Sequence, residues 1–416
     1  MNPGRERYNL PSNLMRFLSL ALVAAASLLM AEPPVIVKDT AKTGLDPSRL
    51  ARIPIRLKQF VDDGQAAGMV TLVARHGHVA SLDAVGYTDF ESRTPIKTDA
   101  IFQLHSMTKP IVCLGVLMLA EEGKLALTDP VEKHLPEFRG LMVADGDRLV
   151  KPERAITIRD LMTHTAGMIL NPPAGIGELH GALHKSLSDV VLILSQQPLL
   201  FQPGTKWSYS NTGIATLARI IEVHSGLAFE KYLDERIFKP LGMNDTFIYP
   251  PAATHHRMPT AYLLKDGKPV KYTMDPLGEG AMKFRVGAKY PLPEGGLYST
   301  ASDLFLLYQM MLNGGQLNGK RIVSKAALQV MTMNHTGSLR TSQPGAGWGL
   351  GNFVVSEPTG QLSFAAQGAY GHGGRYGTYY IVDPSRDMIS IFMIHREGGS
   401  SERQAFVEMA YSAVVD

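Results

Sequence analysis

The chain reads as an α/β protein of the α+β kind. An antiparallel sheet flanked by helices is built from both ends of the sequence, and an all-helical lobe is inserted between them. Three observations carry this reading. Strand alternation appears early, over residues 69–85, and strand signals return between residues 347 and 395. From about residue 140 to residue 290 the texture is helical patterns, loops and prolines with little alternation. The expected boundaries are residues 45–139 for the first part of the α/β lobe, 140–290 for the helical lobe and 291–416 for the second part.

In chain order, Asp46-Pro47 opens a helical pattern with Leu50, Ile53, Leu57, Phe60 and Val61 on one face, ending near Gly64. Met69–Arg75 and Val79–Val85 form a hairpin about His76-Gly77-His78, whose histidines are turn residues. Thr98–Leu104 leads into an apolar helix that ends at Gly123, and Val131–Phe138 is a short helical piece. Thr157 to Asp160 has the form of a capping box. Ser188–Gln196 is an apolar helix, and Asn211 caps another that carries Ile214, Leu217 and Ile221 to Gly226. Ser302 or Thr300 caps a helix to Asn313-Gly314. Gly347–Val355, Leu362–Tyr370, Arg375–Val382 and Met388–His395 read as strands, and Ser401–Val415 as an amphipathic C-terminal helix.

Composition narrows the function. The 416 residues are 45% hydrophobic and 19% charged, enough for a large core. The formal charge of +3 comes without a basic run or stripe, which argues against nucleic acid as a partner. The single cysteine, Cys113, rules out a disulfide framework and a cysteine-rich metal site, and it reads as a small core residue. His180 and His184, and the adjacent His255 and His256, lack the glutamate of H-E-x-x-H, so neither pair reads as a metal site. At the N-terminus, Arg16 precedes an apolar stretch from Phe17 to Met30, with Ala31 or Ala25-x-Ser27 offering small residues for cleavage. Residues 1–31 are therefore expected to be a signal peptide, with the mature chain periplasmic or secreted and without a stable membrane span. Their loss removes three arginines and one glutamate, so +3 becomes about +1.

The chemistry centres on Phe102-Gln103-Leu104-His105-Ser106-Met107-Thr108-Lys109-Pro110. Ser106 and Lys109 are three residues apart and share a helical face. A serine in a first helical turn has its own free N–H as an oxyanion donor, and the lysine one turn on eases removal of the hydroxyl proton. Pro110 is tolerated there because its N–H is not needed. Two further segments join it. In Ser208-Tyr209-Ser210-Asn211, Tyr209 and Asn211 point to one side of an extended chain. A nearby ammonium is expected to lower the phenol pKa of Tyr209 and fit it for proton transfer. Asn211 is expected to donate to a substrate carbonyl and accept from Lys109. In Gly371-His372-Gly373-Gly374-Arg375, glycines mark a strand that something approaches closely, and its free N–H groups offer a second oxyanion donor.

Ser106-x-x-Lys109, Tyr209-x-Asn211 and His372-Gly373-Gly374, in this order, resemble the serine β-lactamase and penicillin-binding superfamily, closest to class C β-lactamases and family VIII carboxylesterases. The phrases Leu161-Met162-Thr163-His164-Thr165-Ala166-Gly167, Pro240-Leu241-Gly242-Met243 and Gly295-Gly296-Leu297-Tyr298-Ser299-Thr300 fit as well. The resemblance implies a β-lactamase-like fold and an acyl-enzyme on Ser106. Lys109 and Tyr209 would handle protons, with the identity of the base left open. Asn211 would position substrate, and the N–H groups of Ser106 and Arg375 would form the oxyanion hole. It implies neither metal nor cofactor, and a small-molecule ester or amide as substrate. Where class C enzymes carry Lys-Thr-Gly, this chain has His372-Gly373-Gly374. An unperturbed histidine is mostly neutral near pH 7 and Gly373 has no hydroxyl, so recognition of a substrate carboxylate is weakened unless Arg375 compensates. That ranks carboxylesterase first, D-amino-acid peptidase, DD-carboxypeptidase or weak β-lactamase next, and a non-catalytic penicillin-recognition or scaffold protein last. His105, beside the nucleophile, has no role in this reading.

Overall fold

A computed structural model of the chain describes Met1 and residues 42–171, 184–272 and 284–415. The segment read as a signal peptide, apart from Met1, and His180 fall outside these residues.

The centre is a seven-stranded antiparallel sheet. Its strands are β1 (Gly68–Arg75), β2 (His78–Gly86), β3 (Ala346–Trp348), β4 (Phe353–Val355), β5 (Tyr370–Gly373), β6 (Tyr379–Asp383) and β7 (Met388–Ile394), in the spatial order β3-β4-β5-β6-β7-β1-β2. Every residue of β1 is buried, as fits a strand paired on both edges and covered on both faces. Side chains divide by parity. Val70, Leu72 and Ala74, with Ile389, Ile391 and Met393, join one apolar cluster; Met69 and Val73, with Phe392 and Ile394, join the other. On that second face lie α1 (Arg52–Asp62), through Ile53, Leu57 and Phe60, and the C-terminal helix Ser401–Ser412, through Phe406, Val407 and Ala410. On the first lie the helix Ala301–Leu312 and α2 (Lys109–Glu121). The β1–β2 turn is tight, with positive φ at His76 and Gly77, the backbone a two-residue hairpin requires. Early and late segments meet where Asp46 N–H donates to the Ala413 carbonyl at 2.8 Å and Leu45 bridges Val414.

α2 is buried all round from Lys109 to Leu119, so it is a central helix rather than an amphipathic surface one. It packs on α3 (Asn211–Ser225), where a side chain at Gly115 would press on Ile221, and the Tyr232 hydroxyl donates to the Gly115 carbonyl at 3.1 Å. Among the described residues no helix is long and apolar enough to cross a membrane.

Several sequence expectations shift. Gly347–Val355 is not one strand but the hairpin β3–β4, because Gly351 adopts a φ of +85° and Gly349 N–H closes on the Asn352 carbonyl. Leu362–Tyr370 is mostly turn, with strand only from Tyr370, and strand β6 starts at Tyr379 rather than Arg375. Ser210, not Asn211, caps α3: its hydroxyl accepts from Gly213 N–H at 3.0 Å. Residues 140–290 also carry two short hairpins, Val143–Val150 and Tyr262–Lys271, the second paired in parallel with Arg396–Glu397. Their exposed, charged sequences give no clean alternation to read.

Candidate active site

The strand pair Phe102–Gln103 and Tyr298–Ser299 delivers the chain to the site. His105 then turns sharply at a φ of +46°, and a single 3₁₀ turn, His105–Thr108, runs into α2. From Ile101 to Leu119 only Ser106 is not buried. The corner is pinned on two sides: Leu104 N–H donates to the Leu297 carbonyl at 2.7 Å, and the Thr378 hydroxyl donates to the Leu104 carbonyl at 3.2 Å. The His105 ring is buried edge-on to Tyr376, with centroids 4.2 Å apart. His105 is thus part of the corner that presents Ser106.

Lys109 is fully buried. Its Nζ donates to Ser106 Oγ at 2.9 Å and to the Glu294 main-chain carbonyl at 2.7 Å. Burial lowers its pKa to about 7, and the Glu294 carboxylate only partly opposes this. In the neutral amine, one N–H held by the Glu294 carbonyl leaves the lone pair free to take the Ser106 proton.

Tyr209 lies on an extended segment just before α3, with Lys109 Nζ 4.8 Å from its ring centroid. Its pKa is raised, because burial outweighs the hydrogen bond with Ser106. This corrects the expectation that the lysine lowers it: a lysine titrating near 7 supplies little positive charge. His372, on β5, is 5% exposed and is pushed down to about 3, mainly by burial, with Lys109 contributing. Its Nδ1 lies 2.7 Å from the Gly373 carbonyl, which can only accept, so Nδ1 carries the proton. Nε2 therefore offers a lone pair to the Tyr209 hydroxyl, 3.4 Å away.

Ser106, Tyr209, His372 and Gly373 line one cleft of about 570 Å³, together with Leu170, Ser208, Ser342, Gln343, Trp348 and Phe353. None of these side chains is cationic at neutral pH. The other predicted residues stand apart from the lining. Asn211 does not reach Lys109: its Nδ2 donates to Asn171 Oδ1 at 2.7 Å, and its own Oδ1 is buried with no partner among the described residues. The Arg375 guanidinium turns to Glu397 at 2.9 Å and is absent from the lining, so it does not compensate for the missing lysine. Among the described residues, neither the Ser106 nor the Arg375 N–H has a main-chain partner. Gly374 admits no side chain, since a Cβ would lie 2.3 Å from the Leu104 carbonyl oxygen, whereas one at Gly373 would meet nothing closer than 3.6 Å.

Sequence reasoning did not single out Trp348, Phe353 or the Glu294 carbonyl, and it noted His164 only within a phrase. The usable signal was tryptophan itself: the chain has two, and both Trp207 and Trp348 pack about Tyr209 and His164. Among the described residues, no group of three or more histidine, cysteine, aspartate or glutamate side chains is placed to hold a metal.

Comparison with known proteins agrees with the architecture. The Beta-lactamase family profile matches residues 56–412. Esterase EstB of Burkholderia gladioli is 31% identical over 372 residues, covering 83% of this chain and 90% of its own length. A putative D-alanyl-D-alanine carboxypeptidase of Escherichia coli K12 is 27% identical over 414 residues, covering 92% and 90%. The solved structure of EstCE1, described as a hydrolase with promiscuous acyltransferase activity, superposes with a TM-score of 0.74 at 27% identity. It spans 88% of this chain and 99% of its own.

Proposed function

The chain belongs to the Beta-lactamase family and is a serine hydrolase of that superfamily, and we propose that it hydrolyses short-chain, uncharged carboxylic esters through an acyl-enzyme on Ser106. The observation that carries the reading is the pairing of one accessible serine with a buried lysine whose pKa falls to about 7. Lys109 is the base. It takes the Ser106 proton as Oγ attacks the ester carbonyl, while the N–H groups of Ser106 and Arg375 hold the developing oxyanion. As the tetrahedral intermediate collapses, Tyr209, kept protonated by its raised pKa, gives a proton to the leaving alkoxide and recovers it from Lys109. Water then attacks the acyl-enzyme by the same route in reverse. Asn211 is kept as a substrate-positioning residue whose Nδ2 would exchange its bond to Asn171 for one to a substrate carbonyl.

Ester ranks above β-lactam because the third-motif position holds a neutral histidine, no cation lines the cleft among the described residues, and Arg375 is committed to Glu397. The similarity to Esterase EstB supports the same ranking. D-amino-acid peptidase activity is the second reading, favoured by the similarity to a putative D-alanyl-D-alanine carboxypeptidase. A non-catalytic scaffold would have no use for a lysine buried at the cost of its charge. We also infer that residues 1–31 direct export to the periplasm or beyond.

A panel of short p-nitrophenyl esters, nitrocefin and D-alanyl peptides tests the ranking, and a fluorophosphonate probe should label Ser106. Ser106→Ala should lower ester turnover on the order of 10⁶-fold, as when a group that acts as a unit is broken. Undiminished hydrolysis of a short ester by that variant would sink the assignment.

A further inference from the structure

His164 belongs to none of the three motifs and does not line the cleft, yet it touches the site at three points. It sits after the helical turn Ile158–Met162 with a φ of +59° and is 1% exposed. Its carbonyl accepts from Ser208 N–H at 2.9 Å, and its Nδ1 accepts from Ser210 N–H at 3.2 Å. Ser208 and Ser210 are the two chain neighbours of Tyr209, so one residue holds both flanks of the phenol-bearing position. Its ring also packs on the Tyr209 ring, with centroids 4.5 Å apart.

The tautomer follows from the partner. A main-chain N–H can only donate, so Nδ1 holds a lone pair and the ring proton is on Nε2. Nε2 is buried with no oxygen or nitrogen partner among the described residues, and the ring meets Trp207 and Trp348 edge-on. His164 is therefore not a proton carrier for the reaction. Its lone pair is already committed to the backbone, and protonating Nδ1 would set one N–H against another. Burial, with Lys109 and His372 close by, holds its pKa well below the ordinary histidine value, consistent with a ring that stays neutral.

We propose that His164 is the positioning residue of Tyr209: by holding the main chain on both sides of the tyrosine and packing on its ring, it fixes the phenol beside Ser106 and so sets turnover without touching substrate. This rests on the reading of Tyr209 as the group that protonates the leaving alkoxide. A general acid displaced by about 1 Å loses on the order of 10²-fold in rate.

The test is a double-mutant cycle in the full chain. Steady-state ester hydrolysis is measured for wild type, His164→Gly, His164→Asn, Tyr209→Phe and the combination of His164→Gly with Tyr209→Phe. Glycine accepts the left-handed backbone but removes the ring, whereas asparagine tolerates that backbone and offers an oxygen to Ser210 N–H. His164→Gly should lower kcat about 10²-fold with KM within about threefold of wild type. His164→Asn should recover all but about tenfold of that loss, and on top of Tyr209→Phe the glycine change should cost less than about threefold. Should the glycine variant show no cooperative thermal transition, the same cycle runs with His164→Asn, whose smaller loss should likewise vanish in the Tyr209→Phe background. An undiminished cost in that background, a loss carried by KM, or asparagine no better than glycine would each overturn the proposal and leave the role of Tyr209 standing. Wild-type turnover by Tyr209→Phe would overturn the role of Tyr209, and the proposal with it.

Discussion

Burying the Lys109 amine beside Ser106 brings its pKa to about 7, and two measurable consequences follow. A base must be deprotonated to act, so kcat/KM for esters should rise with pH through about 7 and level off above it. Tyr209, with a raised pKa, should add no alkaline loss below pH 9. Lys109→Arg, which cannot deprotonate, should be inactive at every pH. The stability sign is opposite to that of a salt-bridged lysine. The folded pKa lies below the ordinary lysine value of 10.5, so between about 7 and 10.5 the unfolded chain binds more protons and stability rises with pH. Below about 7 the folded state carries the full cost of the buried ammonium. Lys109→Met should therefore raise Tm relative to wild type more at pH 6 than at pH 9, and an equal difference at both would contradict the assigned pKa. At the third motif the argument concerns charge. His372 is neutral, and Gly373 has room for a Cβ. Combining His372→Lys with Gly373→Thr should restore a cation and a hydroxyl and raise nitrocefin turnover by about tenfold or more, the worth of one charge-assisted hydrogen bond. Unchanged nitrocefin turnover would mean that carboxylate recognition is limited elsewhere. Ser106 and Lys109 were legible in the sequence because their chemistry and spacing are local. The surroundings of the Asn211 and Arg375 side chains were not legible, because the sequence does not say that Asn171 and Glu397 stand beside them. The fall in the Lys109 pKa was equally invisible, since it depends on burial by segments far away in the chain.

At the scale of elements, the short helix Ile158–Met162 is what delivers His164. Thr157 and Asp160 form a reciprocal capping box, and the Asp160 carboxylate also holds Arg154 through both oxygens and accepts from Thr165 at 3.2 Å. Burial opposes its ionisation, yet Arg154 and Thr157 keep its carboxyl below the ordinary value of 3.8. Its contribution is thus full above pH 3.8 and lost as pH falls through the lower folded value. Asp160→Ala should cost about 2–3 kcal/mol, measured by urea unfolding at pH 7, combining a lost cap with a broken and partly exposed ion pair. A cost below about 0.5 kcal/mol would show the box to be redundant with packing. This element was readable in advance because a capping box is a pattern of four residues. The β3–β4 hairpin was not, since Gly347–Val355 is apolar nearly throughout and a continuous apolar run has no period to betray a turn. The glycines at 349 and 351 and Asn352 were the available sign. Gly351 is held to its shape by α2, because a side chain there would lie 2.8 Å from Cys113 Sγ and 3.1 Å from the Pro110 Cα. That contact ties the loop between β3 and β4 to the first turn of the helix that carries Lys109.

For the whole molecule, the pairing of segments from the first and last parts of the sequence explains why early and late segments share strand character. β1 pairs with β7, and Asp46 N–H donates to the Ala413 carbonyl. A strand seen in isolation cannot name its neighbour, so the sequence indicated a sheet built from both ends but not the order of its strands. We retain the division into 45–139, 140–290 and 291–416 as a proposal on the same ground: the first and last segments complete one sheet, and the middle one supplies α3 and the covering of α2. The proposed export of the chain concerns residues 1–31, and the bonds described at residues 43–46 lie downstream of both candidate cleavage points. The Arg75 guanidinium donates to the carbonyls of Thr43 and Gly44, and Val415 N–H donates to the Gly44 carbonyl. Cleavage after Ala31, or after Ser27, leaves all of these bonds in place. When the full sequence is expressed in a bacterial host and fractionated, the periplasmic or extracellular protein should begin just after one of those two residues by intact mass. Its thermal midpoint should match, within about 1 °C, that of a chain begun at residue 32, because the described bonds are common to both. Active protein found only in the cytoplasm, or a mature chain that still carries residues 17–30, would overturn the export reading while leaving the chemistry at Ser106 untouched.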